Sequence, residues 1–201
     1  MKRIITLGRE FGSGGRELGR RLAEELGIAY YDQEIITEIA KRTALSQRYV
    51  QHIVERRPVF SFPIHTRQTL LSLNSGPVPE HNLAVYREQA KILVEMASHS
   101  DCVIVGRCAD FVLRDAHPLR VFVYGDLESR LRRCRERARP GEASTDRELR
   151  QHIQAVDRNR AVYYAFYTGQ KWGEKQNYDL CLNTGQFPIS KWVSVLAQLL
   201  G

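Results

Sequence analysis

Long apolar runs are missing from this chain, and so are paired cysteines. A bilayer span needs about 20 consecutive apolar residues, and no stretch of the 201 residues supplies them. Charges at Lys2, Arg3, Arg9 and Glu10 break up any signal-like apolar segment at the start. Both absences predict that the chain has no membrane partner. The four cysteines (Cys102, Cys108, Cys134, Cys181) form no C-x-x-C pair. Their scatter argues against a zinc site or a disulfide framework, and for reduced thiols in a cytoplasmic protein. The six histidines lie in unrelated contexts without metal spacing, and no G-x-S-x-G turn is present. Acidic residues are in the minority: 30 Lys and Arg against 23 Asp and Glu leave a formal charge of +7. No aromatic residue interleaves the basic clusters at 130–139 and 158–160. A polyphosphate small molecule therefore accounts for the excess better than a nucleic acid does.

What is present is concentrated at the start. The β-branched run Ile4-Ile5-Thr6-Leu7 leads into Gly8-Arg9-Glu10-Phe11-Gly12-Ser13-Gly14-Gly15-Arg16. Leu18, Leu22, Ala23 and Leu26 then recur at helix spacing over Glu17–Leu26. A strand that passes through a glycine-rich turn into a helix offers inward backbone amides and the positive end of the helix to phosphate. The spacing is close to the P-loop G-x-x-x-x-G-K-[ST]. With Gly14 as its second glycine, Arg9 takes the first position, Gly15 the lysine position and Arg16 the hydroxyl position. Either Arg16 or Arg9 could supply the missing charge, and Ser13 a hydroxyl. A dinucleotide turn, G-x-G-x-x-G, does not fit, because Glu17 ends the run.

Strand and helix signals alternate along the rest of the chain, which predicts a parallel sheet with helices on both faces. Strands are expected at Arg3–Leu7, Ala29–Tyr31, Cys102–Val105, Leu119–Tyr124 and Asp179–Leu182. Helices are expected at Glu17–Leu26, Gln33–Arg42, Gln47–Arg56, Leu83–Ser98, Ala109–Leu113, Leu127–Ala138, Asp146–Tyr167 and Ile189–Leu200. Thr145 and Glu148 have capping-box spacing at the start of the seventh helix, and Gly169 is a stop signal at its end. The proline-bearing stretch from Pro58 to His81 and the polar loop Arg139–Ser144 read as connections. At 43% hydrophobic, residues 1–201 are expected to form one domain.

Four further segments carry candidate chemistry. Val103-Ile104-Val105 ends in Gly106-Arg107, and the carboxyl ends of strands face the ligand crevice in an open α/β sheet. Asp157 and Arg160 lie three residues apart, so they share a helix face, with Arg158 between them. From the arginine series at 130–139, Arg130 and Arg133 are expected to meet phosphate. Asp32 reads equally as a ligand of Mg²⁺ or an acceptor hydroxyl, and as the N-cap of the helix from Gln33. Cys108 beside Arg107 reads first as a small buried residue and second as a reactive thiol.

Together these segments resemble the cytidylate kinase-like proteins, a branch of the nucleoside monophosphate kinases within the P-loop fold. The resemblance covers nearly the whole length. It is carried by Arg9–Glu17, Tyr30-Tyr31-Asp32, Val103-Ile104-Val105-Gly106-Arg107-Cys108-Ala109-Asp110, Asp157-Arg158-Asn159-Arg160-Ala161 and Tyr178–Thr184. It implies a three-layer P-loop NTPase-like α/β fold: a five-stranded parallel sheet, helices on both faces and a helical lid at about 130–146. A helical acceptor-binding region is expected at about 33–99. The implied activity is transfer of a phosphoryl group from ATP, with Mg²⁺, to CMP, dCMP or a related small acceptor. Arg9, Gly12, Ser13, Gly14, Gly15, Arg16 and Glu17 would hold the donor phosphates. Arg16, Arg130 and Arg133 would assist transfer. Asp32, Arg107, Asp157, Arg158 and Arg160 would hold the acceptor, and Mg²⁺ would be held through the phosphates, with Ser13 or Asp32 as protein ligands. Gln33, Glu38 and Cys108 depart from the family pattern, which leaves the acceptor open, as does the lysine-less loop for Arg16. The alternative is a catalytically weak nucleotide-binding regulatory protein. Oligomeric state is not legible.

Overall fold

The computed structural model describes residues 2–55, 80–138 and 145–201. Nearly all of the connection expected from Pro58 to His81, and the loop Arg139–Ser144, lie outside the described residues. Five parallel strands form one sheet: β1 (Ile4–Arg9), β2 (Ala29–Tyr31), β3 (Cys102–Val105), β4 (Leu119–Tyr124) and β5 (Leu180–Asn183). Their spatial order is β2-β3-β1-β4-β5. The central strand β1 pairs Thr6 with Ile104 on one side and with Arg120 on the other. Chain reversal between parallel neighbours requires crossovers, and the helices supply them. In chain order these are α1 (Gly15–Leu26), α2 (Gln33–Thr43), α3 (Gln47–Glu55), α4 (Glu80–His99), α5 (Ala109–Val112), α6 (Leu127–Glu136), α7 (Asp146–Thr168) and α8 (Ile189–Leu200).

Period-two alternation on β1 divides the core into two layers. Ile5 and Leu7 pack with Leu18 and Leu22 of α1 and Val193 and Leu196 of α8. Ile4 faces the other way, into a cluster with Ile35 and Ile39 of α2, Val50 of α3 and Leu93 of α4. Leu7 is fully buried, so Leu7→Ala would cost about 2–5 kcal/mol. The helix α7 begins at a capping box in which Thr145 and Glu148 satisfy each other's amides, and it ends at Gly169 in the left-handed region. No helix among the described residues is long and apolar enough to cross a membrane.

This packing brings the carboxyl ends of β1, β3 and β4 to one edge. The turn after β1, the Gly106-Arg107 corner after β3 and the start of α6 after β4 all open there.

Candidate functional site

The turn between β1 and α1 is held open by outside donors on its carbonyls. Arg133 Nη1 donates to Gly12 O at 2.9 Å, and Thr184 Oγ1 donates to Ser13 O at 2.7 Å. Arg160 Nη1 donates to Arg9 O at 3.0 Å. The Phe11 amide is fixed on Asp157 Oδ1 at 2.7 Å. Gly14 precedes α1 at φ 82, a left-handed conformation that costs glycine little. With the carbonyls drawn outward, the amides of Gly14, Gly15 and Arg16 donate to no other described residue. They form the free first turn of α1, which is where an anion is favoured.

A cavity of about 740 Å³ opens over this turn. Its walls include the glycine turn, Arg9, Arg133, Cys134, His152 and Arg160. Phe11 meets His152 edge-to-face at 5.1 Å between ring centres. A smaller space of about 50 Å³ lies beyond, bounded by Arg9, Arg107, Asp110, Arg160, Tyr164 and Trp172. Arg9 and Arg160 therefore line both spaces.

Arg9 ends β1 and is buried. Its ionic partner is Asp32, 4.0 Å away. Burial lowers its affinity for a proton, and the guanidinium groups of Arg160 and Arg107 add to that. In the smaller space, Tyr164 donates its hydroxyl proton to Asp110 Oδ2 at 2.6 Å. Burial raises the Asp110 carboxyl above its usual range, against the hydrogen bonds that lower it. Cys108, at φ 53, is buried and its thiol is pushed up by desolvation, so it is the small buried residue of the first reading and no reactive thiol.

The remaining sequence-derived candidates divide clearly. Arg16 Nε binds Asp32 Oδ2 at 2.7 Å, and its side chain is half exposed. Asp32 occupies the N-cap position of α2, as one reading expected, but its carboxylate makes no capping hydrogen bond and is held by Arg16 instead. Glu17 pairs with Arg21 at 2.8 Å and with Arg137. Arg130 is buried between Glu10 Oε2 and Asp157 Oδ2, each at 2.6 Å. Asp157 also lies 3.8 Å from Arg160. Arg107 is buried at φ 61, and its carbonyl accepts from Gln89 Nε2 at 2.9 Å. Arg158 is exposed and lines neither space.

The side chains around the turn do not make a Mg²⁺ cage. Ser13 Oγ is directed to Glu10 O at 2.8 Å. Asp32 is occupied by Arg16, and Glu10 Oε2 by Arg130 and the Gly125 amide. A guanidinium stands where the usual loop offers a hydroxyl. Among the described residues there is no group of three or more His, Cys, Asp or Glu placed to hold a metal.

Two contributors were not assigned a role from sequence. Thr184 follows β5 and ties its end to the glycine turn; the strand-end rule applied to Arg107 would have found it. Glu10 sits inside the turn yet holds Arg130, a contact between residues far apart in sequence that no local signal reveals.

Comparison with known proteins extends the picture. Residues 4–186 match the cytidylate kinase-like family. The cytidylate kinase of Methanopyrus kandleri is 25% identical over 203 residues, covering 96% of this chain and 90% of that one. An uncharacterised protein from Eubacterium ventriosum has a similar structure, with a TM-score of 0.71 at 25% identity and 98% of each chain covered. Shikimate kinase from Bacteroides thetaiotaomicron shares the fold, with a TM-score of 0.56 at 18% identity and 98% coverage of each chain.

Proposed function

Because the chain belongs to the cytidylate kinase-like family, we propose that it is a cytoplasmic ATP-dependent phosphotransferase acting on a nucleoside monophosphate or a related small acceptor. CMP and dCMP are the first acceptors to test. The observation that carries this reading is the pair of spaces that share Arg9 and Arg160. The larger has the free amides of the glycine turn and room for a nucleoside triphosphate. The smaller has Arg107 and a polar tyrosine–carboxyl wall. A triphosphate in the larger and the phosphate end of an acceptor in the smaller would meet at the shared arginines.

Transfer of this kind needs positioning, charge neutralisation and exclusion of water more than covalent chemistry. The amides of Gly14 to Arg16 hold the donor's phosphates. Arg107 and Arg160 hold the acceptor phosphate, one oxygen of which attacks the γ-phosphorus as the bond to the β–γ bridging oxygen breaks. Arg130 and Arg133 act through the turn they fix. The end of α6 and the start of α7 border the donor space, and α2 to α4 flank the acceptor. A metal ion travelling with the donor would be held by phosphate oxygens.

The Arg16–Asp32 pair at the hydroxyl position favours a second reading, a nucleotide-binding regulatory protein with little turnover. Incubation of the protein with ATP, Mg²⁺ and a panel of monophosphates, read by mass spectrometry, decides between them. Diphosphate product with matching ADP supports the phosphotransferase. Saturable ATP binding with no product from any acceptor supports the regulator.

A further inference from the structure

The loop lacks its lysine, yet the space of that lysine is full. A Cβ built on Gly15 would lie 2.6 Å from Arg9 Cβ and 3.1 Å from Arg9 Cγ. The Arg9 stem thus runs through the volume that a side chain at position 15 would need. Its far end is accommodated in the same way: a Cβ on Gly106 would lie 1.8 Å from Arg9 Nη1. Two glycines, one opening α1 and one ending the run of β3, are bare where this single side chain passes.

We infer that the Arg9 guanidinium is the cation that contacts the transferring phosphoryl group, an arginine from the end of β1 replacing the lysine of the helix. The inference rests on the phosphotransferase reading and goes beyond it by assigning that contact to one residue.

Three observations support it. Arg9 borders both spaces, so it lies where a group moving between them must pass. Its buried Nε has no hydrogen-bond partner, and Asp32 at 4.0 Å is its one ionic partner among the described residues. A buried cation in that state is deficient in an anion. The competing arginines are engaged: Arg16 with Asp32, Arg130 with Glu10 and Asp157, Arg133 with the carbonyls of Gly12 and Thr184, and Arg160, which also borders both spaces, with the Arg9 carbonyl and Asp157. The planar guanidinium can donate two parallel hydrogen bonds to the equatorial oxygens of the moving group. It gives up no proton. The electron pair of the broken bond leaves with the diphosphate, and the acceptor oxygen supplies the new one.

The test uses Arg9→Met, Arg9→Gly, Gly15→Lys, the double variant Arg9→Gly/Gly15→Lys, and Arg16→Met. Each is measured for single-turnover transfer, ATP and ADP affinity, and melting temperature. Arg9→Met should slow transfer by about a thousandfold, the scale of a lost phosphate arginine. It should keep ADP affinity within about threefold, lose the preference for ATP over ADP, and melt no lower than the parent, because a cation repelled by Arg107 and Arg160 is gone. Gly15→Lys alone should also lose activity, since lysine and Arg9 exclude each other. The double variant, which restores glycine and lysine at their P-loop positions, should regain at least about tenfold over Arg9→Gly. Parental transfer by Arg9→Met, a thousandfold loss in Arg16→Met instead, or a double variant no better than Arg9→Gly overturns the inference. A lowered melting temperature with equal loss of ATP and ADP binding also overturns it, because that is what a structural arginine would give. If the parent itself transfers nothing, the phosphotransferase reading fails separately. The contact with the γ-phosphate then stands or falls on the ATP-over-ADP preference.

Discussion

Arg130 Nη2 lies 2.6 Å from Asp157 Oδ2, and this contact joins α6 to α7 beneath the glycine turn. The other Asp157 oxygen holds the Phe11 amide, so one carboxylate links two helices and the loop. Arg130 is almost fully buried, with Glu10 on its other nitrogen. Removing the cation leaves two partly buried carboxylates facing each other without their shared partner. Arg130→Met should therefore cost about 3–5 kcal/mol of unfolding free energy, measured by urea titration. Weakened ATP binding should follow, because the turn loses its support. A variant of unchanged stability with only slower transfer would make Arg130 a free lid arginine.

Gly14 is constrained twice. Its φ is 82, and a Cβ there would lie 2.5 Å from Ile189 Cδ1 at the start of α8. A left-handed backbone at a residue with a side chain costs about 1–3 kcal/mol, and Ile189 must also shift. Gly14→Val should lower the melting temperature and weaken triphosphate binding by more than tenfold, the branched side chain standing where backbone must approach phosphate. Calorimetric titration of a folded Gly14→Val sample checks this; parental ATP affinity there would remove the donor from the turn.

The strands were the most legible part. β2, β3 and β4 begin and end where their apolar runs do. β1 extends to Arg9, two residues past the apolar run, because Gly8 and Arg9 still pair with Phe122 and Val123 of β4. β5 starts one residue later than expected, where the Asp179 carboxylate takes the Arg120 amide at 2.8 Å and its guanidinium at 2.7 Å. Helix α1 starts two residues early, because Gly14 supplies the left-handed entry. The turn between β1 and α1 was legible from its glycines, Gly14 supplying the left-handed entry to the helix. The path of Arg9 was not. It depends on Gly106, which sequence presents only as the residue before an arginine. Spacing singled out Arg130 with Arg133 in an arginine-rich helix, but it did not reveal that Glu10 and Asp157 bury Arg130 in ion pairs.

Asp110 gives the site a pH signature. Burial raises its folded-state proton affinity above that of an exposed carboxyl, so the protonated form favours the fold. That contribution is complete below the unfolded carboxyl range and is lost as pH rises through the raised value. Each tenfold difference in proton affinity corresponds to about 1.4 kcal/mol. Asp110→Asn keeps an oxygen to accept the Tyr164 proton but cannot ionise. Its stability relative to the parent should therefore improve as pH rises from the unfolded carboxyl range through the raised one, followed by denaturant titration across that range. A constant difference across that range would mean that Asp110 is ionised at little cost.

Arg107 distinguishes acceptor from donor. It leaves β3 at φ 61, with its carbonyl fixed by Gln89, and its side chain borders only the smaller space. The donor amides border the larger one. A charge-assisted arginine–phosphate contact is worth on the order of 1.5–3 kcal/mol, and about 1.4 kcal/mol is tenfold in affinity. Arg107→Ala should thus raise the acceptor KM by roughly one to two orders of magnitude. ATP affinity measured without acceptor should stay near that of the parent, because the turn and its supports are untouched. Alanine inherits the same positive φ, so the substitution adds no backbone strain of its own. Loss of ATP binding in a folded Arg107→Ala protein would place the donor in the smaller space and reverse the two assignments.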